Sequence, residues 1–314
     1  MTTIIRSAIG SMPSTGFLKF LKERNINIIG TDITKDAVGK FLVDKFYEVP
    51  RANMQTQLID KYLDIAKKTK STFIISGPEE EIITLSANRD IFNNSGITIF
   101  HPPIETLEIV TNKKKLHEAL KDSDIKTPHT DELLSFESIM TDYIVVKPKL
   151  GRGSQGLFID KKNKIQNKIK DYDIDKYIVQ ELIIGQEYTV DVLCDMNGNF
   201  LNIVPRLRLK TDSGISVISK TVNDIEVIKS TIQLLTKFKF YGGNCFQFIK
   251  DAKGDLYLID INPRFGGGSI LSIKSSKIFQ DNIINILDGK KTIKYSTKFN
   301  ELKMYRGYEE YYSI

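Results

Sequence analysis

The chain has 314 residues, 41% hydrophobic and 27% charged, the proportions of a soluble globular protein with room for two domains rather than a membrane-spanning one. Its formal net charge is +6, yet the lysines are interspersed with acids, runs such as Lys113-Lys114-Lys115 and Lys290-Lys291 are short, and there is no Trp. That pattern is a solvated surface, so neither nucleic acid nor a membrane is expected as a partner. The first residues, Met1-Thr-Thr-Ile-Ile-Arg6, read as a strand and not as a signal peptide. Both cysteines, Cys194 and Cys245, fall in apparent strands, which points to buried free thiols and a cytoplasmic location.

In chain order, strand patterns at 3–9, 27–31 and 71–75 alternate with helical spacing at 15–24, 57–68 and 80–94. Such alternation predicts a parallel sheet covered by helices. Pro102-Pro103 marks a boundary, and 113–121 reads as a helix ending before Pro128. Beyond it the pattern turns strand-rich, at 143–146, 156–160, 177–180, 187–194 and 200–209, with a turn signal at Asn197-Gly198. Helices follow at 225–238 and 278–287. The expected class is α/β followed by α+β.

The most specific stretch is Gln247 to Arg264, two apolar strands joined by a turn at Asp251-Ala-Lys-Gly-Asp255. Asp260, Asn262 and Arg264 take alternate positions, so they share one face. Two oxygen ligands beside a guanidinium suit a magnesium-bound polyphosphate. Gln247, near the start of the partner strand, adds a third oxygen. An edge strand with a solvated polar face is the plainer alternative, but Leu256-Tyr-Leu-Ile259 is a core-type run where an unpaired Asp is costly.

Gly151-Arg-Gly-Ser-Gln-Gly156 matches the dinucleotide-binding fingerprint in letters only. That fingerprint needs a helix after the loop, and here Leu157-Phe-Ile-Asp160 is a strand. An NAD-dependent oxidoreductase is therefore disfavoured. A glycine-rich hairpin loop can instead fold over a triphosphate as a lid. Lys147-Pro148 ends the strand feeding it, and a Lys buried there needs an anion. Asp32 reads as a strand-end residue. Glu79-Glu-Glu81 suits either an amine or, as acids opening a helix, the positive end of its dipole.

Asn112-Lys113, Val146-Lys-Pro148, the 151–156 loop, Val179 to Asp191 and Asp260-Ile-Asn-Pro-Arg264 occur in one order. That order resembles the ATP-grasp superfamily, in its carbamoyl-phosphate-synthase-like branch. The resemblance implies an ATP-grasp fold behind an N-terminal Rossmann-like pre-ATP-grasp domain. It places that domain at 1–109 and the ATP-grasp domain at 110–314, with a lid over about 110–180 and a nucleotide and metal subdomain over about 181–290. It further implies that Lys113 and Lys147 contact the nucleotide phosphates, with Gly153, Ser154, Gln155 and Gly156 in the loop above them. Glu181 and Ile183 would lie at the adenine edge and Glu187 at the ribose. Gln247, Asp260 and Asn262 would hold Mg²⁺, with Mn²⁺ as an alternative ion, and Arg264 would stabilise the transferred phosphate. Gly266-Gly-Gly268 would let backbone approach the intermediate. Asn112 replaces the family's usual Asp. Asp260 replaces its usual Glu, which leaves the number of metals open.

The activity implied is an ATP-dependent carboxylate–amine ligase working through an acyl phosphate. Small-molecule carboxylate and amine substrates would be its partners, and a homodimer is usual for similar folds. Such chemistry is positioning and charge neutralisation, and it needs no nucleophilic triad. His101, His117 and His129 read as non-catalytic. Lys220 is a further candidate for phosphate, and Arg206 and Arg208, alternating on one strand, for a substrate carboxylate. The alternatives are a grasp-fold ATP-binding regulator, which an intact metal set disfavours, and carbamoyl phosphate formation, for which no second copy of the motifs is visible.

Overall fold

In the computed structural model, which describes residues 2–11, 13–151, 156–212, 214–293 and 295–312, the early apolar runs become five parallel strands. These are β1 (Thr3–Ser7), β2 (Asn27–Asp32), β3 (Lys45–Glu48), β4 (Phe73–Ile75) and β5 (Thr98–Ile99), in the order β3-β2-β1-β4-β5. Helices α1 (Ser14–Glu23), α2 (Gln55–Thr69), α3 (Glu79–Ala87) and α4 (Arg89–Asn94) cross between them. Helix α1 buries Phe17, Leu18, Phe20 and Leu21, one stripe at helical spacing. The helix expected over 80–94 is two helices, because Asn88 leaves the helical region (φ −111°, ψ 24°). Strands β3 and β5 carry no strand-like alternation long enough to read, being edges of four and two residues. Strand order reverses between β1 and β4, which opens a crevice beyond their C-terminal ends.

Helices α5 (Ile104–Val110) and α6 (Lys113–Leu120) lead to a four-stranded antiparallel sheet. It contains β6 (Thr130–Glu132), β7 (Tyr143–Pro148), β8 (Phe158–Lys161) and β9 (Tyr177–Glu181), ordered β6-β9-β7-β8. Ile144, Val146 and Val179 pack there against Ile165 of α7 (Lys162–Lys168). Strands β7 and β8 pair antiparallel, so the glycine loop joins a hairpin and not a strand to a helix. Asn112 caps α6 by accepting from the Lys114 and Lys115 amides, each at 3.1 Å. This is work an Asn does as well as the Asp usual in the family.

The third sheet has six strands in the order β14-β13-β10-β11-β12-β15. They are β10 (Gly185–Cys194), β11 (Phe200–Asp212), β12 (Ile215–Thr221), β13 (Gly242–Asp251), β14 (Leu256–Asn262) and β15 (Lys303–Tyr305). Helix α8 (Ile225–Lys237) covers one face, with Val227 and Leu234 against Val190, Val192, Ile203 and Phe246. Helices α9 (Ser269–Ser275) and α10 (Lys277–Leu287) join this sheet to the first, since Ile273, Phe279 and Ile283 share one core with Ile4, Leu18, Ile28, Leu193 and Val204. Cys194 and Cys245 are buried and free, as expected. Asp32 closes the β1 and β2 ends by accepting from the Gly10 and Ile33 amides, each at 2.8 Å.

His101 latches the parallel sheet to the end of β14. Its Nε2 accepts the Ser76 amide at 2.7 Å, which leaves the ring proton on Nδ1, 3.1 Å from the Pro263 carbonyl. Burial, with Arg6, Arg89 and Arg264 nearby, pushes its pKa down to about 3, against the pull of the Pro263 bond. A depressed His pKa means the unfolded chain binds the proton more readily. The latch therefore contributes fully above the ordinary His range and loses its contribution as pH falls from about 6.5 towards 3. The loss reaches roughly 5 kcal/mol at the acid end. Denaturant titrations of His101→Phe across this range are expected to show a flatter pH dependence than wild type, at a constant cost from the orphaned Ser76 amide.

Candidate active site

One row of side chains crosses the third sheet. Thr189 on β10 faces Arg206 on β11 and Gln247 on β13, and Gln247 faces Asp260 on β14. Directly opposed residues share a face, so Asp260, Gln247, Thr189 and Arg206 stand side by side. Asn262 begins the adjacent row, opposite Cys245. A bulge at Ile259 sets this arrangement, because Phe248 faces Leu258 while Gln247 faces Asp260. It lets Leu258 and Ile261, three residues apart, both enter the core while Asp260 and Asn262 turn outward. Asn262 Nδ2 donates to Asp260 Oδ2 at 3.0 Å, and Arg264 Nη2 donates to Asn262 Oδ1 at 3.2 Å.

The row forms one wall of a cavity of about 690 Å³. Lys113 and Lys147 line it from α6 and β7, and Arg6, Gly77 and Pro78 from the crevice of the parallel sheet. Lys113 Nζ donates to the Gly151 carbonyl at 3.0 Å and lies 3.5 Å from Asp260 Oδ1. Lys147 is 7% exposed and has no hydrogen-bond or ion-pair partner among the described residues. Burial, reinforced by repulsion from Lys113, brings its pKa down to about 8. Glu79 reaches this region from the start of α3. Burial pushes its carboxyl up to about 7 against the pull of Lys113 and Arg264, while the Asp260 charge adds to the rise.

Arg206 is held from behind. Its Nε donates to Asp191 Oδ2 at 2.8 Å and its Nη1 to Ser216 Oγ at 3.4 Å. Asp191, fully buried, also accepts from Ser269 and Ser272 at the start of α9. Gly268 makes room for this group, since a Cβ there would lie 2.5 Å from Arg206 Cζ. In the same run a Cβ on Gly266 would meet Cys245 Sγ and one on Gly267 would meet Pro13. The three glycines thus have a packing reason beside the one expected of them. Arg208 forms an ion pair with Glu187 on the same face. The ribose candidate and a carboxylate candidate therefore hold each other in this structure.

The cavity brings together Lys113, Lys147, Glu187, Arg206, Arg208, Gln247, Asp260, Asn262 and Arg264. It does not bring in Lys220, which opposes Leu207 on β11 and so faces away from Arg206 and Arg208. Lys220 is instead paired with Glu301 at 2.7 Å. Glu181 ends β9, where its Oε2 accepts from the His129 amide at 3.3 Å, and Ile183 follows in the link to β10; neither lines the cavity. Gly156 has φ +72°, and a Cβ there would meet Tyr177 and Pro148. Gly153, Ser154 and Gln155 lie outside the described residues. Sequence reasoning missed Thr189, whose buried hydroxyl has no partner among the described residues. The alternation Glu187, Thr189, Asp191 held the signal for it. It also missed Arg6, one residue before the end of β1.

Hard oxygen donors on Gln247, Asp260 and Asn262 fit Mg²⁺, and the unpartnered Lys147 beside Lys113 fits a polyphosphate. A model of the PylC-like N-terminal domain matches residues 14–100. The carbamoyl phosphate synthase large chain of Thermoplasma acidophilum is 26% identical over 212 residues, 60% of this chain, and the chain spans only 20% of that relative's length. The carbamoyl-phosphate synthase of Methanobrevibacter smithii is 23% identical over 293 residues, 88% of this chain and 78% of its own. The biotin carboxylase domain of Hydrogenobacter thermophilus 2-oxoglutarate carboxylase, a dimer solved with MgADP, ADP and bicarbonate, superposes with a TM-score of 0.72. That likeness covers 94% of this chain and 71% of the other at 17% identity, and it shows the shared fold. A model of the ATP-grasp domain matches residues 110–268, from the start of α6's approach to the last glycine before α9, and the chain belongs to the ATP-grasp family.

Proposed function

We propose that this chain is an ATP- and Mg²⁺-dependent ligase. It activates a carboxylate as an acyl phosphate for attack by an amine or another nucleophile, with release of ADP and phosphate. The observation that carries this reading is the single cavity in which the row Asp260, Gln247, Thr189 and Arg206 faces Lys113 and Lys147. ATP supplies the phosphoryl group, and the ion neutralises its charge. In this reading Gln247, Asp260 and Asn262 hold Mg²⁺, or Mn²⁺ in its place. Lys113 and Lys147 bind phosphate oxygens, Arg264 stabilises the phosphoryl group in transfer, and Arg206 binds the carboxylate.

Residues 1–109 would then be the pre-ATP-grasp domain and 110–314 the ATP-grasp domain. No helix among the described residues is long and apolar enough to cross a membrane, and we place the protein in the cytoplasm. A homodimer is the proposed assembly, by analogy with the dimeric biotin carboxylase domain. Formation of carbamoyl phosphate is a second reading, favoured by the similarity to the Methanobrevibacter smithii protein.

Nucleotide product analysis tests the reading. Mg-ATP is supplied with pooled amino acids, small carboxylates and amines, and separately with bicarbonate and ammonia. ADP and phosphate are expected only with an acceptor present, and Asp260→Ala combined with Asn262→Ala is expected to lower their rate by roughly 10³-fold or more. AMP and pyrophosphate would sink the acyl-phosphate mechanism. Turnover with bicarbonate and ammonia alone would select the second reading.

A further inference from the structure

At the far end of the row from Asp260, three strands away, the cavity wall carries apolar side chains around one guanidinium. Arg206 uses Nε on Asp191 and Nη1 on Ser216, and its Nη2 makes no hydrogen bond among the described residues. The glycine run fixes what stands beside it. A Cβ on Gly268 would lie 2.5 Å from Arg206 Cζ, and one on Gly267 would lie 2.8 Å from Pro13 Cβ and 3.5 Å from Ile215 Cγ2. Pro13, just before α1, and Ile215, the first residue of β12, therefore converge next to Arg206. Phe265, two residues before Gly267, joins them on the wall and packs on Phe17 with 4.9 Å between ring centres. Pro13, Ile215 and Phe265 are half-buried. A lone exposed apolar side chain needs no ligand, but three beside a guanidinium on a cavity wall have the make-up of a small-molecule site.

Charge narrows the ligand. Behind the wall, Arg306 Nη2 donates to the Gly267 carbonyl at 2.5 Å, while its Nη1 is buried with no partner among the described residues. Asp191 pairs with Arg206 alone, so one positive charge beside it is unmatched, which favours an anion here. Nothing at this end receives an ammonium. Of the described residues lining the cavity only Glu187 and Asp260 are acidic. Glu187 is paired with Arg208, and Asp260 stands at the other end of the row. Asp212, opposite Ile215, is exposed and off the wall. In the ligase reading, on which this inference rests, Arg206 receives the acid to be activated. We propose that this acid is a monocarboxylate bearing an uncharged apolar group and no α-ammonium. Its carboxylate sits on Arg206 Nη2, and its apolar group lies against Pro13, Ile215 and Phe265.

Thermal shift of the full chain tests this, in saturating Mg-ADP and in saturating Mg-AMP-PNP. The probes are butanoate, 4-methylpentanoate and 3-phenylpropanoate. Each is set beside a counterpart that adds or removes one charge: pentanedioate, leucine and phenylalanine in L and D form, and 3-phenylpropanamide. At least one of the three apolar acids is expected to raise Tm, with the charged counterparts and the amide binding roughly 10–100-fold more weakly. Ile215→Asn is expected to weaken binding of that acid roughly 10-fold and to leave protection by the nucleotides unchanged. Should Ile215→Asn not fold, Ile215→Ala is expected to show the same loss in smaller measure. The inference is overturned if none of the three acids protects, or if leucine, phenylalanine or pentanedioate protects as well as its uncharged counterpart. It is likewise overturned if the folded Ile215 variant binds the acid as wild type does. ADP-forming turnover with a charged acid alone would overturn this inference and leave the ligase reading standing. AMP formation, or no protection by either nucleotide, would remove the ligase reading itself.

Discussion

Asp191→Ala is expected to destabilise the protein by about 3–5 kcal/mol, the usual cost of removing one partner from a buried ion pair. Asp191 is fully buried and Arg206 is 3% exposed. With Asp191 gone, Arg206 keeps, among the described residues, only its 3.4 Å hydrogen bond to Ser216, and Ser269 and Ser272 lose their acceptor. Denaturant midpoints read the effect. The double substitution Asp191→Ala with Arg206→Met is expected to recover much of the loss, because it removes the stranded charge as well. A single-mutant cost below about 1 kcal/mol, with no recovery in the double, would show that Arg206 reaches water or another anion and that the pair does not hold it.

The same pair shows what a linear reading reaches. Asp260, Asn262 and Arg264 were legible because strand geometry repeats every two residues, and three polar residues in that rhythm inside an apolar run have few explanations. The family resemblance, and the fold it implied, rested on the same local spacing. The bulge at Ile259 was not legible, although it is what sends Leu258 and Ile261 to the core together. Register arises between strands, and no single strand states it. Lys220 lies away from the cavity for the same reason, since its pairing with Leu207 turns it from the face of Arg206.

Contacts distant in sequence account for the other gaps. Gly268 faces Arg206 and Gly267 faces Pro13, so a glycine run that suggested backbone approach to a ligand also serves packing across the fold. The unmarked helix α9 follows those glycines as a serine-rich segment in which the Ser269 and Ser272 hydroxyls donate to Asp191. Arg6 and Glu79 lie on segments whose local pattern is that of an ordinary strand and an ordinary helix start. Only the three-dimensional arrangement puts Arg6 on the wall of the cavity and buries Glu79.

Lys147→Met is expected to move stability and ligand affinity in opposite directions. Lys147 is buried, and its pKa of about 8 lies below the ordinary Lys value of 10.5. A depressed Lys pKa means that the charged form is disfavoured by the fold. The penalty is therefore complete below pH 8 and is relieved as pH rises from about 8 to 10.5. Its size is roughly 3 kcal/mol. An apolar side chain of similar length removes it, so the ligand-free variant is expected to be more stable than wild type at neutral pH, with a Tm shift of a few degrees. Affinity for Mg-ADP or Mg-ATP should fall roughly 10–100-fold with loss of a charged hydrogen bond. A bound phosphate favours the ammonium and raises its pKa, so wild-type binding near pH 8 should take up a fraction of a proton. Calorimetry in buffers of different ionisation enthalpy reads that uptake, which is expected to vanish in the variant. Unchanged nucleotide affinity, or destabilisation of the ligand-free variant, would show that the Lys147 ammonium has a partner within the fold and is not held for a phosphate.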